Sequence, residues 1–504
     1  MQLICISRGS FSIGKAFAES LAAKLGSACL GREDLLDLAA ASGVAAGKLE
    51  MACLKSRNLD EKMLLEREHY QAFTTAALCE RALAGPLVYH GRTGHLLLQG
   101  VPHVLRLRVV ADMETRIKSV EERLGIDREK AKKYIEQVDE DRRKWVRTFY
   151  NIDWDASAGY DFTINLEHAN IGNVASAFCG VAQLPDFQET PYARRMLEDL
   201  LLASRCRAAL AKDDRTYHAR IRVRAERGTV SVTYLPRDAA LAEIIPRVLE
   251  RVPAADNILC TMASTRILWI QERFDPKIST FKHLLEVAEK WDAAVELLRL
   301  VASDAPPLIE RAPEERVISP AERAVTGGIE EDEQGPQESD AWEEGGVAET
   351  FAELVKAGRA GGRVTMRGSA KDVLTAIDRT AAFSLVVVGD TFLSKGKAAR
   401  VRLTRELGDV IHDQLRVPVI QAEEMKEQYL FGPKQLVTLL SFLGLSAIIY
   451  FLVFTHQQEV IGIMRWQGMG WRALAAALVV VFAPIVAYFY GNAAGFVLKL
   501  IKME

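Results

Sequence analysis

Leu3-Ile4-Cys5-Ile6 is an unbroken apolar run of the kind that forms a strand buried on both faces. It ends in Ser7-Arg8-Gly9, and a helical pattern, FAESLAAKLG, follows and is closed by Gly26. Pro86 to Arg92 and Val104 to Ala111 repeat the buried-strand pattern, and Tyr160 to Leu166 is a last strand of this region. Between the last two, one helix starts at Asp112-Met113-Glu114 and another runs from Asp127 to about Tyr150. Strands alternating with helices of this length predict a parallel sheet covered on both faces.

The pattern changes further on. Residues 192–211 read as a helix. His218 to Tyr234 alternates Ile221, Val223, Val230 and Val232 across Gly228, which predicts a hairpin with one wet face carrying Arg220, Arg222 and Arg224, with Arg227 at the turn. A helix, ALAEIIPRVLERV, and a strand at Asn257–Thr261 follow. Ala382 to Gly389 is again a buried strand, followed by a basic loop with Ser394, Lys395 and Gly396, the helix VRLTRELGDVIHDQL and the strand RVPVI. Between them, Ser303 to Glu349 is acidic and poor in apolar residues, with no Lys or Arg between Arg323 and Lys356, which predicts a disordered linker. Leu436 to Phe454 and Ala473 to Leu498 contain no charged residue. A bilayer core needs about 20 apolar residues, so both qualify as spans. Tyr450, Trp466, Trp471, Tyr488 and Tyr490 fall near the expected interfaces. Lys426 and Lys434 before the pair, with Lys499 and Lys502 after it, favour a hairpin with both ends inside. Neither span carries an ionisable residue, so an anchor is expected rather than a transport path.

Composition narrows the function. The 504 residues hold 64 Lys+Arg against 67 Asp+Glu, a net charge of -3, so nucleic acid is not an expected partner. The seven cysteines stand singly with no CxxC pair, which argues for reduced thiols and against a zinc ribbon. His90, His95 and His103 match no zinc spacing, and no metal site is expected. Met1 to Ser7 has no basic n-region, so the first domain is expected to remain in the cytosol. The expected domains are 1–185, 190–300, a linker over 303–349, 350–422, and two spans at 436–454 and 473–498. The expected location is the inner membrane of a bacterium with the soluble domains on the cytosolic side. A homo-oligomer is left open.

Gly9 to Lys15 fits G-x-x-x-x-G-K, although Ala16 replaces the hydroxyl residue that usually follows. Strand, Gly-bearing turn and helix start form the setting for phosphate binding, because free backbone N–H groups and the helix dipole favour an anion there.

Around this loop the first domain resembles the cytidylate kinase-like family of P-loop nucleoside monophosphate kinases. The resemblance rests on ISRGSFSIGKAFAESLAAKLG at 6–26, REDLLDLAAASG at 32–43, VYHGRTGHLL at 88–97, HVLRLRVVADMETRIKSVEERLG at 103–125, DEDRRKW at 139–145 and NIDWDASAGYDFTIN at 151–165. It implies phosphoryl transfer from ATP, with Mg²⁺, to a nucleoside monophosphate. By resemblance Gly9, Ser10, Ser12, Gly14 and Lys15 hold the donor phosphates, Lys15, Arg142 and Arg143 act on the transferring group, and Arg92 meets the acceptor phosphate. Arg116 and Arg123 are further candidates, each equally readable as solvated helix surface, while Asp139 and Asp141 read as solvated or lid-pairing residues. The chain departs from the family at Phe11 and Ile13, often Gly there, at Gly31, which stands before Arg32-Glu33 where the family often has an acidic residue, and at Ala16. A non-catalytic nucleotide-binding sensor is the alternative to an active kinase. The 190–300 segment resembles a BON-type domain, a module of membrane or ligand association. The 350–422 segment is similar to the C-terminal half of a universal stress protein domain. The fold class is therefore α/β: a P-loop parallel sheet, a small αβ module, a second α/β module and a transmembrane hairpin.

Overall fold

The computed structural model describes residues 2–42, 61–91, 94–150, 152–302, 337–369, 372–374, 377, 383–430, 433–464 and 469–500. Arg92 and most of the expected linker lie outside them. The chain forms two compact units, residues 1–276 with 292–419, and residues 277–291 with 420–504.

The first unit opens with β1 (Leu3–Arg8), α1 (Gly14–Leu25), β2 (Ala28–Gly31), α2 (Arg32–Ala41), α3 (Glu61–Ala84), β3 (Leu87–Gly91) and the single turn α4 (Gly94–Leu97). It continues through β4 (Val104–Val110), α5 (Met113–Leu124), α6 (Arg128–Tyr150), β5 (Phe162–Asn165) and α7 (Ile171–Val181). The sheet runs β2-β3-β1-β4-β5, every pair parallel. Alternation along β1 sends Leu3 and Cys5 into a core with Leu78, Cys79, Tyr89 and Trp145. Ile4 and Ile6 enter a second core, with Phe17, Leu21, Leu105 and Leu107. Both faces are thus covered, and the central strand is apolar from Leu3 to Ile6, as a doubly covered parallel sheet requires. Asp112 starts α5 by accepting from the amides of Glu114 and Thr115, and Gly125 ends it at φ 64°.

Next come α8 (Pro191–Lys212), β6 (Ile221–Glu226), β7 (Thr229–Tyr234), α9 (Ile244–Leu249) and β8 (Asn257–Met262). β6 and β7 form the expected hairpin, and β8 joins β7 in parallel. Ile221, Val230 and Val232 pack with Cys206 and Leu210 of α8. The other face of β6 is not wet. Arg222 and Arg224 meet the buried Glu296, at 2.7 and 3.4 Å.

The structure groups the later strands differently from the domain limits read in the sequence. β9 (Thr265–Gln271) and, beyond α10 (Ser279–Lys290), β10 (Ala293–Ala302) do not close the middle module. They share one sheet with segments on the far side of the linker: α11 (Gln337–Lys356), β11 (Ala360–Gly368), β12 (Leu385–Val388), α12 (Lys397–Leu415) and β13 (Val419–Gln421) follow, and the strand order is β11-β10-β9-β12-β13. The β9–β10, β10–β11 and β9–β12 pairs are parallel. What the sequence presented as half a module is a complete five-stranded sheet whose first two strands precede the acidic segment. Helix α11 also begins at Gln337, inside the range expected to be linker, because Val347, Phe351 and Leu354 supply an apolar face that the acidic composition concealed.

The second unit holds α10, α13 (Met425–Tyr429), α14 (Pro433–Thr455), α15 (Gln457–Met464) and α16 (Met469–Leu500). Two segments here are long and apolar enough to cross a bilayer, Leu436–Thr455 and Val480–Val497, with mean hydropathy 2.4 and 1.6. Phe442 of α14 packs on Tyr488, Phe489 and Phe496 of α16. Leu440, Ile448, Phe451 and Tyr488 remain exposed, which a helix pair surrounded by water does not tolerate in such density.

Candidate active site

The loop after β1 is fixed from both ends. The Gly9 amide donates to the carbonyl of Val109 on β4 at 3.0 Å, and Ser12 Oγ donates to the Gly9 carbonyl at 2.9 Å. Gly14 opens α1 in a space where a Cβ would lie 2.7 Å from the Cβ of Arg8, so only glycine fits without movement. Phe11 and Ile13 adopt φ 58° and 57°. This left-handed region favours glycine, so the turn keeps its shape although two side chains now occupy it. Phe11 is held against Ile117, Val120 and Ile135, with its ring 5.8 Å from that of Tyr134. Ile13 has no comparable seat and is 37% exposed.

Helices α5 and α6 reach the loop through charge. Asp139 is buried, accepts from Ser10 Oγ, and pairs with Arg116 at 2.6 Å. Arg116 Nε also donates to the Ser10 carbonyl at 2.8 Å. Of the two readings of Asp139, the pairing one is the one the structure shows and the solvated one is not, and Arg116 is no solvated helix face: together they clamp the loop backbone. Arg142 Nη1 donates to the Arg8 carbonyl at 2.9 Å, and its guanidinium lies 5.9 Å from the Trp154 ring. Its neighbour Arg143 points elsewhere, pairing with Asp155 at 2.6 Å and Glu140 at 3.6 Å. Lys15 lies on the exposed first turn of α1, 3.8 Å from Glu19.

Three features were not legible in the sequence. Arg8 reaches across to Glu33 at the start of α2, at 2.6 Å. Partial burial opposes ionisation of Glu33, but its backbone amide and Arg8 hold the carboxyl below its ordinary range. Arg108 forms a cluster with Asp155 at 2.5 Å and stacks 4.6 Å over Trp154. Burial works against the Asp155 charge, yet Arg143 and Arg108 together lower its pKa. Trp154 Nε1 in turn donates to Ser7 Oγ at 3.0 Å, on the last turn of chain before the loop. The signal for these was the density of Arg and Trp at strand ends, which spacing alone does not resolve into pairs. Among the histidines, His90 lies on β3 beside Gly31, with its pKa lowered by burial and by Arg8, while His95 stacks on Tyr160. No cluster of three potential metal ligands occurs among the described residues.

A parallel sheet of order 2-3-1-4-5, with a Gly-Lys loop joining its central strand to a helix start, has the P-loop form of the α/β fold. Residues 3–168 match the family model described as the cytidylate kinase-like family, and the N-terminal domain is cytidylate kinase-like. No curated protein matches the chain. Among solved structures, an uncharacterized protein from Eubacterium ventriosum is similar at 17% identity over 36% of this chain and 98% of its own, with a TM-score of 0.29, too slight a likeness to bear on fold or function.

Proposed function

We propose that the N-terminal domain binds ATP on the Gly9–Lys15 loop and transfers its terminal phosphoryl group to a nucleoside monophosphate, in a protein held at a membrane by α14 and α16. The observation that carries this reading is the loop itself: a helix-start anion site, braced by Arg116 and Asp139 and overhung by Arg142. The loop amides and the α1 dipole hold the donor phosphates, and Lys15 swings from Glu19 onto their outer oxygens. An oxygen of the acceptor phosphate attacks the terminal phosphorus as the bond to the bridging oxygen breaks, leaving two diphosphates. Arg142 offsets charge on the equatorial oxygens, and Arg143 joins it on release from Asp155. Arg92, which follows β3 in the sequence, is the proposed acceptor-phosphate contact.

The family implies Mg²⁺, but the residues of this loop fit it poorly. Ala16 offers no oxygen, Ser12 Oγ is bound to the Gly9 carbonyl, and Asp139 is committed to Arg116 and Ser10. No step is therefore routed through a protein-held metal.

The second reading, a nucleotide-binding sensor without transferase activity, is favoured by the side chains of Phe11 and Ile13 in the turn and by the ion pair that holds Arg143. Calorimetric titration with ATP, wild type beside Lys15→Ala, followed by a transfer assay across nucleoside monophosphates, separates the two. Binding lost in Lys15→Ala together with transfer supports the kinase. Such binding without transfer supports the sensor, and no binding by a folded wild type removes both. For the membrane, Lys426 and Lys434 on one side of the helix pair and Lys499 and Lys502 on the other favour both ends in the cytosol of a bacterial cell, at the inner membrane.

A further inference from the structure

Away from the loop, the first unit encloses a cavity of about 1180 Å³, bounded by α3 and α8 on one side and by β6, β9, β10 and β11 on the other. Ligand pockets usually fall between about 300 and 1,000 Å³, so this one has room for a nucleotide-sized molecule. Its wall is rich in cations: eleven arginines line it with four carboxylates, Glu68, Asp186, Asp199 and Glu226, while Glu296 just behind the wall pairs with Arg222 and Arg224. Two of those carboxylates already have an arginine, Glu68 pairing with Arg207 at 3.1 Å and Glu226 with Arg363. A third, Asp199, accepts the Arg227 backbone amide at 2.7 Å. Guanidinium groups gathered on a concave wall repel one another unless an anion lies between them. Nothing in the apolar packing of α8 or β6 calls for such an excess.

Two buried side chains on the same wall carry nitrogens without a hydrogen bond. Arg207 is 7% exposed, and its Nη1 makes no hydrogen bond although Nη2 is held by Glu68. His103 is 2% exposed with neither ring nitrogen hydrogen-bonded. Burial pushes its pKa down to about 4, so the ring is neutral and one nitrogen is an unused N–H donor at physiological pH. Folded proteins rarely retain an unsatisfied buried donor without use.

We propose that this cavity is a second ligand site, separate from the Gly9–Lys15 loop, and that it takes a small polyanion carrying two or more phosphate groups. Guanidinium forks match phosphate oxygens two at a time, and a phosphoryl group brings more charge per volume than a carboxylate, which suits a wall with this excess of cations. The ligand would touch α3 and α8, which pack on the kinase-like sheet's side, and also β6 and β11 of the downstream sheets. It is therefore placed to report on, or to set, how firmly those parts are joined.

The test uses the full chain in detergent and inorganic tripolyphosphate as probe, read by calorimetry. Lys15→Ala silences the loop, so the isotherm that remains reads the cavity. In that background the exposed wall arginines are changed together, Arg195→Gln, Arg220→Gln and Arg367→Gln, with near-ultraviolet circular dichroism to confirm an unchanged fold. Retained binding in Lys15→Ala, weakened about tenfold or more by the triple change and by added salt, is the expected result. No binding in Lys15→Ala, or binding that the triple change leaves untouched, overturns the proposal. Citrate binding as tightly as tripolyphosphate overturns the assignment to phosphate.

Discussion

The loop at Gly9–Lys15 carries two residues of the same backbone conformation and opposite context. Both Phe11 and Ile13 hold a left-handed φ that costs an L-residue about 1–2 kcal/mol. Phe11 recovers this through Tyr134 and the α5–α6 core, whereas Ile13 does not. Ile13→Gly is therefore expected to stabilise the fold by about 1 kcal/mol and Phe11→Gly to lower stability, a difference in sign that urea denaturation of the two variants will show. Asp139 is a second case. Both it and Arg116 have side chains 12% exposed, so removing one leaves the other charge buried. Asp139→Ala should lose about 3 kcal/mol and weaken ATP binding by loosening the loop, and an unchanged ATP isotherm would show that the clamp is structural only. At Asp199, burial raises the carboxyl pKa from 3.8 to about 6. A raised acid stabilises the fold only while protonated, so the penalty accrues between about pH 4 and 6 and is complete above. Asp199→Asn should gain about 2–3 kcal/mol at pH 8 and almost nothing at pH 4, as paired denaturation curves will report.

Elements differ in how openly they declared themselves. β1, β3 and β4 were plain in the sequence because a strand covered on both faces is largely apolar, and a short apolar run bounded by turn residues marks it. α14 and α16 were equally plain, since a helix without a polar face has few settings. The expectation at this scale is that the full chain stays in the pellet after a carbonate wash and that a chain ending at Tyr429 does not; a soluble full chain would remove the anchor. β6 misled because alternation tells which residues share a face, not what lies opposite. Its arginine face looked solvated, yet Glu296 of β10 fills it.

Within the first unit, Glu296 is a buried residue through which two sheets meet, beside the Glu226–Arg363 pair. Burial opposes its charge, but Arg222, Arg224 and Arg266 hold its pKa below the ordinary value. Glu296→Gln leaves two guanidinium groups facing each other in a buried space. It should cost about 3–5 kcal/mol and separate the thermal unfolding of the first unit into two transitions. A single cooperative transition at the wild-type temperature would show that the sheets do not depend on this ion pair.

The sequence by itself determined β1, α1, β3, β4, α5, α6 and β5 in their order, the glycine turn at Gly9–Lys15 and the apolar pair at the end. Each is set by neighbours a few positions away: the period of apolar residues, a glycine turn, an uninterrupted hydrophobic run. Only the tertiary structure decided that β9 and β10 belong with β11 to β13 across the acidic segment, because a strand's sheet is chosen by hydrogen-bond partners far along the chain. Only it separated Arg142, held over the loop, from Arg143, held by Asp155, since adjacent helix positions point in different directions and their partners come from other elements. The arginine-lined cavity is of the same kind. Its cations are scattered from Arg67 to Arg367, and no local pattern marks residues whose single common property is the space they enclose.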